Sequence, residues 1–218
     1  MGKVRRLLDL CCWRGGAGYG YHLAGFEVVG VDIKPQPDYP FEFHQADALA
    51  FPLDGFDAVH ASPPCQAHSD LKHAWNARQH EDLIPGLREK LVAWGGPWVI
   101  ENVLGAPLKN PVTLCGCMFG LGTEKYRLER KRLFEASFPL PQPECTCAGD
   151  ARPVVGVYGG KIRNRRAIPT GSQRSRVGTT LPLELGQEAM GITWMNRLGL
   201  SQAILPAYTR FIGQHIPA

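Results

Sequence analysis

The chain has 218 residues, 44% of them hydrophobic and 20% charged. This is the balance of a globular chain of one domain with a small appendage, and no stretch approaches the roughly 20 apolar residues of a membrane span. Seven cysteines, an odd count with Cys11 and Cys12 adjacent, do not form the framework of a secreted disulfide scaffold, so a cytoplasmic chain with reduced thiols and neither signal nor anchor is expected. The net charge of +4 is unevenly spread: twelve Lys and Arg stand against four acids between Lys125 and Arg176, so that segment carries +8 and the remainder −4.

Val4 to Cys12 is a short apolar run that ends in Arg14-Gly-Gly-Ala-Gly-Tyr-Gly20 and continues into His22-Leu-Ala-Gly-Phe26. The pattern predicts strand, glycine turn and helix. Val28-Val-Gly-Val-Asp-Ile33, bounded by Lys34-Pro35, predicts a second buried strand, and the unit has the length of a right-handed parallel crossover. Further strands are predicted over Phe56–Ala61 and Trp98–Val103, with a helix over 80–94 carrying Leu83, Leu87, Leu91 and Trp94 on one face. Such alternation predicts an α/β sheet covered on both sides. Residues 138–186, rich in Pro, Gly and Arg, predict an irregular lobe with one strand over 153–158. Helical periodicity returns over Leu183–Met190 and Pro206–His215, the latter beginning at a proline suited to a first helical turn.

A glycine loop between strand and helix suits a cofactor, because the backbone can be approached closely and free N–H groups face the ligand. Gly15-Gly16-Ala17-Gly18 alone is equally a tight turn. Asp32 at the end of the second strand strengthens the cofactor reading, since an acid there can accept from two ribose hydroxyls. Asp47 stands where a third strand would end, within reach of an adenine amino group. No Lys-Ser or Lys-Thr follows the glycines, which excludes a phosphate-binding P-loop. Cys65 follows Pro63-Pro64 at the end of a strand, where the prolines hold the thiol rigidly at the rim of the sheet. Glu101 lies inside an apolar strand, and a buried carboxylate there must be protonated, bonded or lining a pocket. The basic segment suits a polyanion such as nucleic acid, and suits a solvated arginine-rich loop equally well.

Asp9-Leu-Cys-Cys12 with Gly15-Gly-Ala-Gly18, Val31-Asp32-Ile33, Ala46-Asp47, Pro63-Pro-Cys-Gln66, Glu101-Asn-Val103, Arg130-Lys-Arg132-Leu-Phe134 and Leu200-Ser-Gln-Ala-Ile204 fall in a characteristic order from end to end of the chain. In that order the chain resembles the DNA (cytosine-5)-methyltransferases of compact phage or bacterial type. The resemblance implies a Rossmann-like class I methyltransferase sheet with a small irregular target-recognition lobe: a catalytic domain over 1–136, a basic lobe over 137–186 and C-terminal helices over 187–218 that return to the catalytic domain. It implies S-adenosylmethionine as cofactor, held by Asp9, Cys11, Trp13, Arg14, Gly15, Gly16, Asp32, Ile33, Asp47, Ala48, Pro63 and Gln202. It also implies a catalytic set of Cys65, Glu101, Arg130 and Arg132. Cys65 would add to cytosine C6, Glu101 would hold N3 and the exocyclic amine, and Arg132 would bond O2 with Arg130 beside it. The partner implied is duplex DNA with one cytosine flipped out of the stack, bound by a monomer through Gln66, Lys161, Arg163, Arg165, Arg166, Arg174 and Arg176.

The glycine loop departs from the family, with Cys11 at the usual aromatic position, Trp13 at the first glycine and Arg14 next to it. Arg14 raises the alternative of a carboxylated donor, carboxy-S-adenosylmethionine, because a guanidinium pairs well with a carboxylate. A free-nucleotide substrate and an inactive DNA-binding homologue are further alternatives. Cys115-Gly-Cys117 and Cys145-Thr-Cys147 flank the arginine element. They read either as a four-thiolate zinc site or as reduced, partly buried thiols.

Overall fold

A computed structural model describes residues 3–68, 81–157 and 181–218. Strand β1 (Arg6–Leu10) is followed by helix α1 (Gly16–Leu23) and strand β2 (Glu27–Asp32), which pairs with β1 in parallel from Arg6–Glu27 to Leu10–Val31. The crossover predicted from the first apolar runs is therefore the start of the fold. Strand β3 (Glu42–Gln45) adds in parallel outside β2, β4 (Ala58–Ala61) pairs with the other side of β1, and β5 (Trp98–Asn102) pairs with β4. Helix α2 (Ile84–Trp94) precedes β5, with Ile84, Leu87 and Leu91 buried. The first residues of the helix predicted over 80–94 include His80, which lies outside the described residues.

The second half contains elements that its periodicity does not announce. Strand β6 (Val112–Leu114) is followed by the short β7 (Arg127–Leu128) and by β8 (Arg132–Ala136). β8 inserts antiparallel between β5 and β6, giving a seven-stranded sheet of order β3-β2-β1-β4-β5-β8-β6. Because β8 runs backwards, its first residue, Arg132, lies at the same edge as the last residues of the parallel strands. Of the strand predicted over 153–158, Tyr158 lies outside the described residues; within the rest β9 is Val154–Val155, and it pairs in parallel with β7 outside the main sheet. Helices α3 (Leu183–Met190), α4 (Arg197–Gln202) and α5 (Pro206–Gly213) complete the chain. No helix among the described residues is long and apolar enough to cross a membrane.

The sheet is covered on both faces. One core gathers Leu7, Tyr21, Phe134, Tyr208 and Ile212, and the other gathers Leu8, Val29, Leu87, Leu91 and Ile100. Neighbours Leu7 and Leu8 thus point to opposite layers, as alternation along a strand demands. On the second face Arg88 of α2 grips Glu135 of β8 through two bonds of 2.8 and 2.7 Å. On the outer edge, the Gln142 side-chain amide donates to the Thr113 carbonyl at 2.9 Å and accepts from its N–H at 3.2 Å. The segment after β8 therefore climbs back along β6.

Helix α5 lies where the C-terminal periodicity predicts a helix and closes the fold against α1. Thr209 Oγ1 donates to the Ala17 carbonyl at 2.8 Å. The approach is possible because position 20 has no side chain: a Cβ there would meet Thr209 Oγ1 at 2.0 Å and the Pro206 carbonyl at 2.2 Å. One of those neighbours is backbone and cannot rotate away. Gly20→Ala is therefore expected to cost about 3 kcal/mol by overpacking, measured as a lowered urea midpoint. An unchanged midpoint would mean that α5 is not held this tightly.

Candidate active site

The ends of the five parallel strands β1 to β5 and the start of β8 meet at one edge of the sheet, where strand order reverses between β1 and β4; open α/β sheets bind ligands at such a reversal. The glycine loop forms one wall. Cys12 N–H still donates to Val31 O at 3.1 Å, after which Trp13 and Gly15, like Cys11 before them, take left-handed backbone angles (φ 48°, 81° and 57°). For a non-glycine residue this costs about 1–2 kcal/mol, so the loop must be held from outside. Trp13 N–H donates to Asp32 Oδ2 at 3.1 Å, the Trp13 indole to Gly199 O at 3.3 Å, and the Trp194 indole to Arg14 O at 3.0 Å. Trp13 thus turns toward α4. Gly16 lets α1 approach the segment after α4, since a Cβ there would lie 2.4 Å from Ile204 O.

The remaining residues expected to hold the cofactor are placed as follows. Asp32 is half-buried and also accepts from Lys34 N–H at 3.0 Å, so its carboxylate is fixed in orientation. Ile33 beside it is 64% exposed, an unusual position for a large apolar side chain at a strand end. Asp47 is exposed and accepts from Leu49 N–H at 2.9 Å, Ala48 is buried, and Gln202 is exposed at the end of α4. Asp9 corrects the expectation of a direct contact. It is completely buried, accepts from Tyr39 Oη at 3.2 Å and from Gly18 N–H, and burial holds its carboxyl well above the usual range. It is part of the floor under the loop and cannot touch a ligand at the surface. Arg14 is paired within the chain, to Asp38 at 2.8 Å.

Cys65 opens a short 3-10 turn at the end of the β4 connection. The turn is pinned from β5, because Asn102 Nδ2 donates to the Pro63 carbonyl at 3.0 Å. Cys65 is half-buried and Gln66 exposed. Burial and the charge of Glu101 push the Cys65 thiol up, while Arg132 and Arg130 pull it down. The same guanidiniums and carboxyl therefore act on one sulfur.

Glu101 is 4% exposed, and desolvation raises its carboxyl to about 7 against the pull of Arg132, Ser62 and Arg130. Arg132 Nε lies 3.1 Å from Glu101 Oε1. That pair is within ionic reach but off hydrogen-bond alignment, so Oε1 has no hydrogen-bond donor among the described residues. Behind the carboxyl runs a chain of buried groups that sequence reasoning missed. Tyr21 Oη is 2.9 Å from His60 Nδ1, and His60 Nε2 is 2.8 Å from Ser62 Oγ. Burial lowers His60 to about 3, so the ring is neutral. A neutral ring has one donor and one acceptor, and one direction satisfies the whole chain: Tyr21 donates to His60, His60 to Ser62, and Ser62 to Glu101. A histidine in the middle of the apolar run Ala58–Ala61 is the signal that could have found it.

Arg130 is a second correction. Its guanidinium donates to the carbonyls of Ser201 at 2.7 Å and Ala203 at 3.0 Å, and to Val157 O at 3.3 Å. It caps the carboxyl end of α4, a position that favours a cation, while its charge also reaches Cys65 and Glu101. Lys161, Arg163, Arg165, Arg166, Arg174 and Arg176 lie outside the described residues. The four cysteine sulfurs of 115, 117, 145 and 147 do come together, all within 4.8 Å of one another.

The Glu101 carboxyl makes a pH prediction. Between its ordinary value of 4.5 and about 7 the folded chain keeps a proton that the unfolded chain releases, so stability is lost as pH rises through that window. Glu101→Gln removes this loss. The melting temperature of the variant relative to the parent should therefore be higher at pH 8 than at pH 5, read by thermal denaturation at both.

No protein-family model matches the sequence, and no curated protein does. Solved structures are similar in fold. A prophage-encoded E. coli protein, described as a candidate DNA modification methyltransferase, matches with a TM-score of 0.59 at 11% identity, over 96% of this chain and 97% of its own. The Entamoeba histolytica methyltransferase EhMeth matches with a TM-score of 0.57 at 8% identity, over 99% of this chain and 98% of its own. The chain has the Rossmann-like methyltransferase fold that its motifs led us to expect.

Proposed function

We propose that the protein transfers a methyl group from S-adenosylmethionine to C5 of a cytosine in DNA, with Cys65 as nucleophile. The observation that carries this reading is the convergence of Cys65, Glu101 and Arg132 at one edge of the sheet, with the buried Glu101 Oε1 left without a hydrogen-bond donor among the described residues. A cytosine amine is a donor of the kind that oxygen lacks. A carboxyl that stays protonated near neutrality can donate to N3 as well.

The chemistry balances on these side chains. Cys65 Sγ forms a bond to C6, the ring electrons move toward N3, and the Glu101 proton meets them, which makes C5 nucleophilic. Arg132 offsets charge on the ring and favours the thiolate. Once the methyl group is on C5 and the donor's sulfonium has become a neutral thioether, a solvent base takes the C5 proton, the C5–C6 double bond reforms, Cys65 leaves as thiolate and N3 returns its proton to Glu101. S-adenosylmethionine supplies an electrophilic methyl group on a sulfonium. The wall formed by residues 11–16, the fixed Asp32 carboxylate, exposed Ile33 and exposed Asp47 fits the ribose and adenine of that cofactor. Because Arg14 already has a carboxylate partner in Asp38, nothing at that position calls for a carboxylated donor.

Duplex DNA is the proposed substrate, bound by a monomer, with residues 137–186 reading the target and a cytosine flipped into the edge of the sheet. Four of the twelve cations in the basic segment are engaged inside the protein. Arg127 donates to Asp150 O and Arg152 O, Arg130 caps α4, Arg132 faces Glu101 and Arg152 holds Asp150 at 2.8 Å. Lys125 and Lys131 remain beside Lys161, Arg163, Arg165, Arg166, Arg174 and Arg176, and the phosphate contacts are assigned to the last six by the resemblance.

Cys65→Ala should abolish transfer and leave the melting temperature nearly unchanged, since the half-buried thiol supports little packing. The parent should form a covalent complex with DNA carrying 5-fluorocytosine in the presence of cofactor, because fluorine cannot leave as a proton. Mass spectrometry of nucleosides from DNA of expressing cells should show 5-methylcytosine. A proven target that yields no adduct removes Cys65 from the role.

Replacing Arg163, Arg165 and Arg166 by Glu should flatten the slope of log affinity against log salt by about 3 for duplex DNA. An unchanged slope places the phosphate contacts elsewhere and favours a free nucleotide as substrate.

A further inference from the structure

Cys115 precedes and Cys117 lies within the turn Gly116–Phe119 that follows β6, at the ligand edge of the sheet. Cys145 and Cys147 come from the segment that climbs along β6 after β8. The two pairs are about thirty residues apart in sequence, yet Cys115 Sγ lies 3.5 Å from Cys147 Sγ, Cys117 Sγ 3.4 Å from Cys145 Sγ, and Cys147 Sγ 2.8 Å from Cys117 Sγ. A zinc ion bound at about 2.3 Å by four thiolates at the corners of a tetrahedron would separate the sulfurs by about 3.8 Å. The observed separations, none above 4.8 Å, bracket that value.

We infer that these four cysteines form a structural Zn²⁺ site, independent of methyl transfer. Closed four-thiolate sets favour soft, tetrahedral ions, and zinc among these is redox-inert. Binding breaks four S–H bonds, forms four Zn–S bonds and releases four protons to solvent. Cys115 and Cys117 are buried while Cys145 is exposed, so the ion sits at the surface with an open route of entry.

The site fastens a stretch with little regular structure of its own. Between Phe138 and Arg152 the regular structure is one turn of 3-10 helix, Cys147–Gly149. Gln142 on Thr113, and Thr146 Oγ1 donating to Cys117 O at 3.0 Å, are its tethers to the β6 side. The other wall of the site leads to the arginine element. Gly116 N–H donates to Glu129 O at 2.6 Å, and a Cβ on Gly116 would lie 2.1 Å from Leu128 O. The turn bearing Cys115 and Cys117 is thus seated on the residues that precede Arg130 and Arg132. An ion here links the approach to the target lobe with the base of the arginine arm.

The test is metal content. Protein purified without a histidine tag, under reducing conditions, should contain one zinc per chain by atomic emission. Replacement by Co²⁺ should give the visible bands and thiolate charge-transfer absorption of tetrahedral sulfur coordination. Cys145→Ser, at the exposed ligand, should weaken the charge-transfer band at saturating Co²⁺ and bind zinc at least tenfold more weakly in a chelator competition, while Cys11→Ser changes neither. Folded parent protein, verified by circular dichroism, that takes up no Zn²⁺ on addition under reducing conditions would overturn the site. So would two disulfides found by mass spectrometry of protein prepared under reducing conditions, or iron in place of zinc.

Discussion

A carboxyl group in the interior is expensive unless it is neutral, paired or bonded, and at the end of β5 the chain uses all three remedies on Glu101. Arg132 brings a charge from the adjacent reversed strand, and Ser62 brings a hydroxyl from the end of β4. Behind Ser62, His60 and Tyr21 carry the demand for donors into the core until it ends on a phenol packed among apolar neighbours. Much of the architecture can be read from that one group. The antiparallel insertion of β8 places a strand's first residue beside the last residues of parallel strands, which a wholly parallel sheet cannot do. The buried relay explains why a polar histidine occupies a core strand. Asn102, next along β5, pins the turn that presents Cys65, so adjacent residues of one strand hold the acid and aim the thiol.

The glycine loop shows a different way of meeting a local cost. Two non-glycine residues in left-handed conformation are held by hydrogen bonds from β2, α4 and the segment before α4. Their partners come from Asp32 near one end of the chain and from Trp194 and Gly199 near the other, so the loop's shape is held jointly by both. The close approaches at Gly16 and Gly20 serve the same closure.

The first half of the fold was legible in the sequence because parallel strands buried on both faces write themselves as apolar runs, and the glycine turn and Pro-Pro-Cys mark their ends. The order of Cys65, Glu101 and Arg132 suggested them as a set, and the fold brings Arg132 to within 3.1 Å of Glu101. What was not legible depends on distance in space. Asp38 gave no sign that it would neutralise Arg14, and the charge of Arg130 gave none that it would be spent on helix carbonyls. Composition counted both arginines as available cations. Asp9 belonged to a motif that suggested ligand contact, while its burial by Tyr39 arises from a residue thirty positions away. Strands β6 and β9 are too short to carry a period, and α4 spans fewer than two turns. Their existence follows from pairing and capping partners supplied by the rest of the molecule.

Gln142 illustrates how a single side chain can end a sheet. Its amide presents one donor and one acceptor to Thr113, the pair that a further strand would offer, and the residues around it have no extended ladder of their own to pass on. At the opposite margin β3 carries Glu42 and His44, charged or polar and exposed. An exposed strand margin is otherwise a template on which another chain can continue the ladder. An amide plug on one side and charge on the other oppose growth of the sheet at both ends, so that edge-to-edge joining of copies is disfavoured.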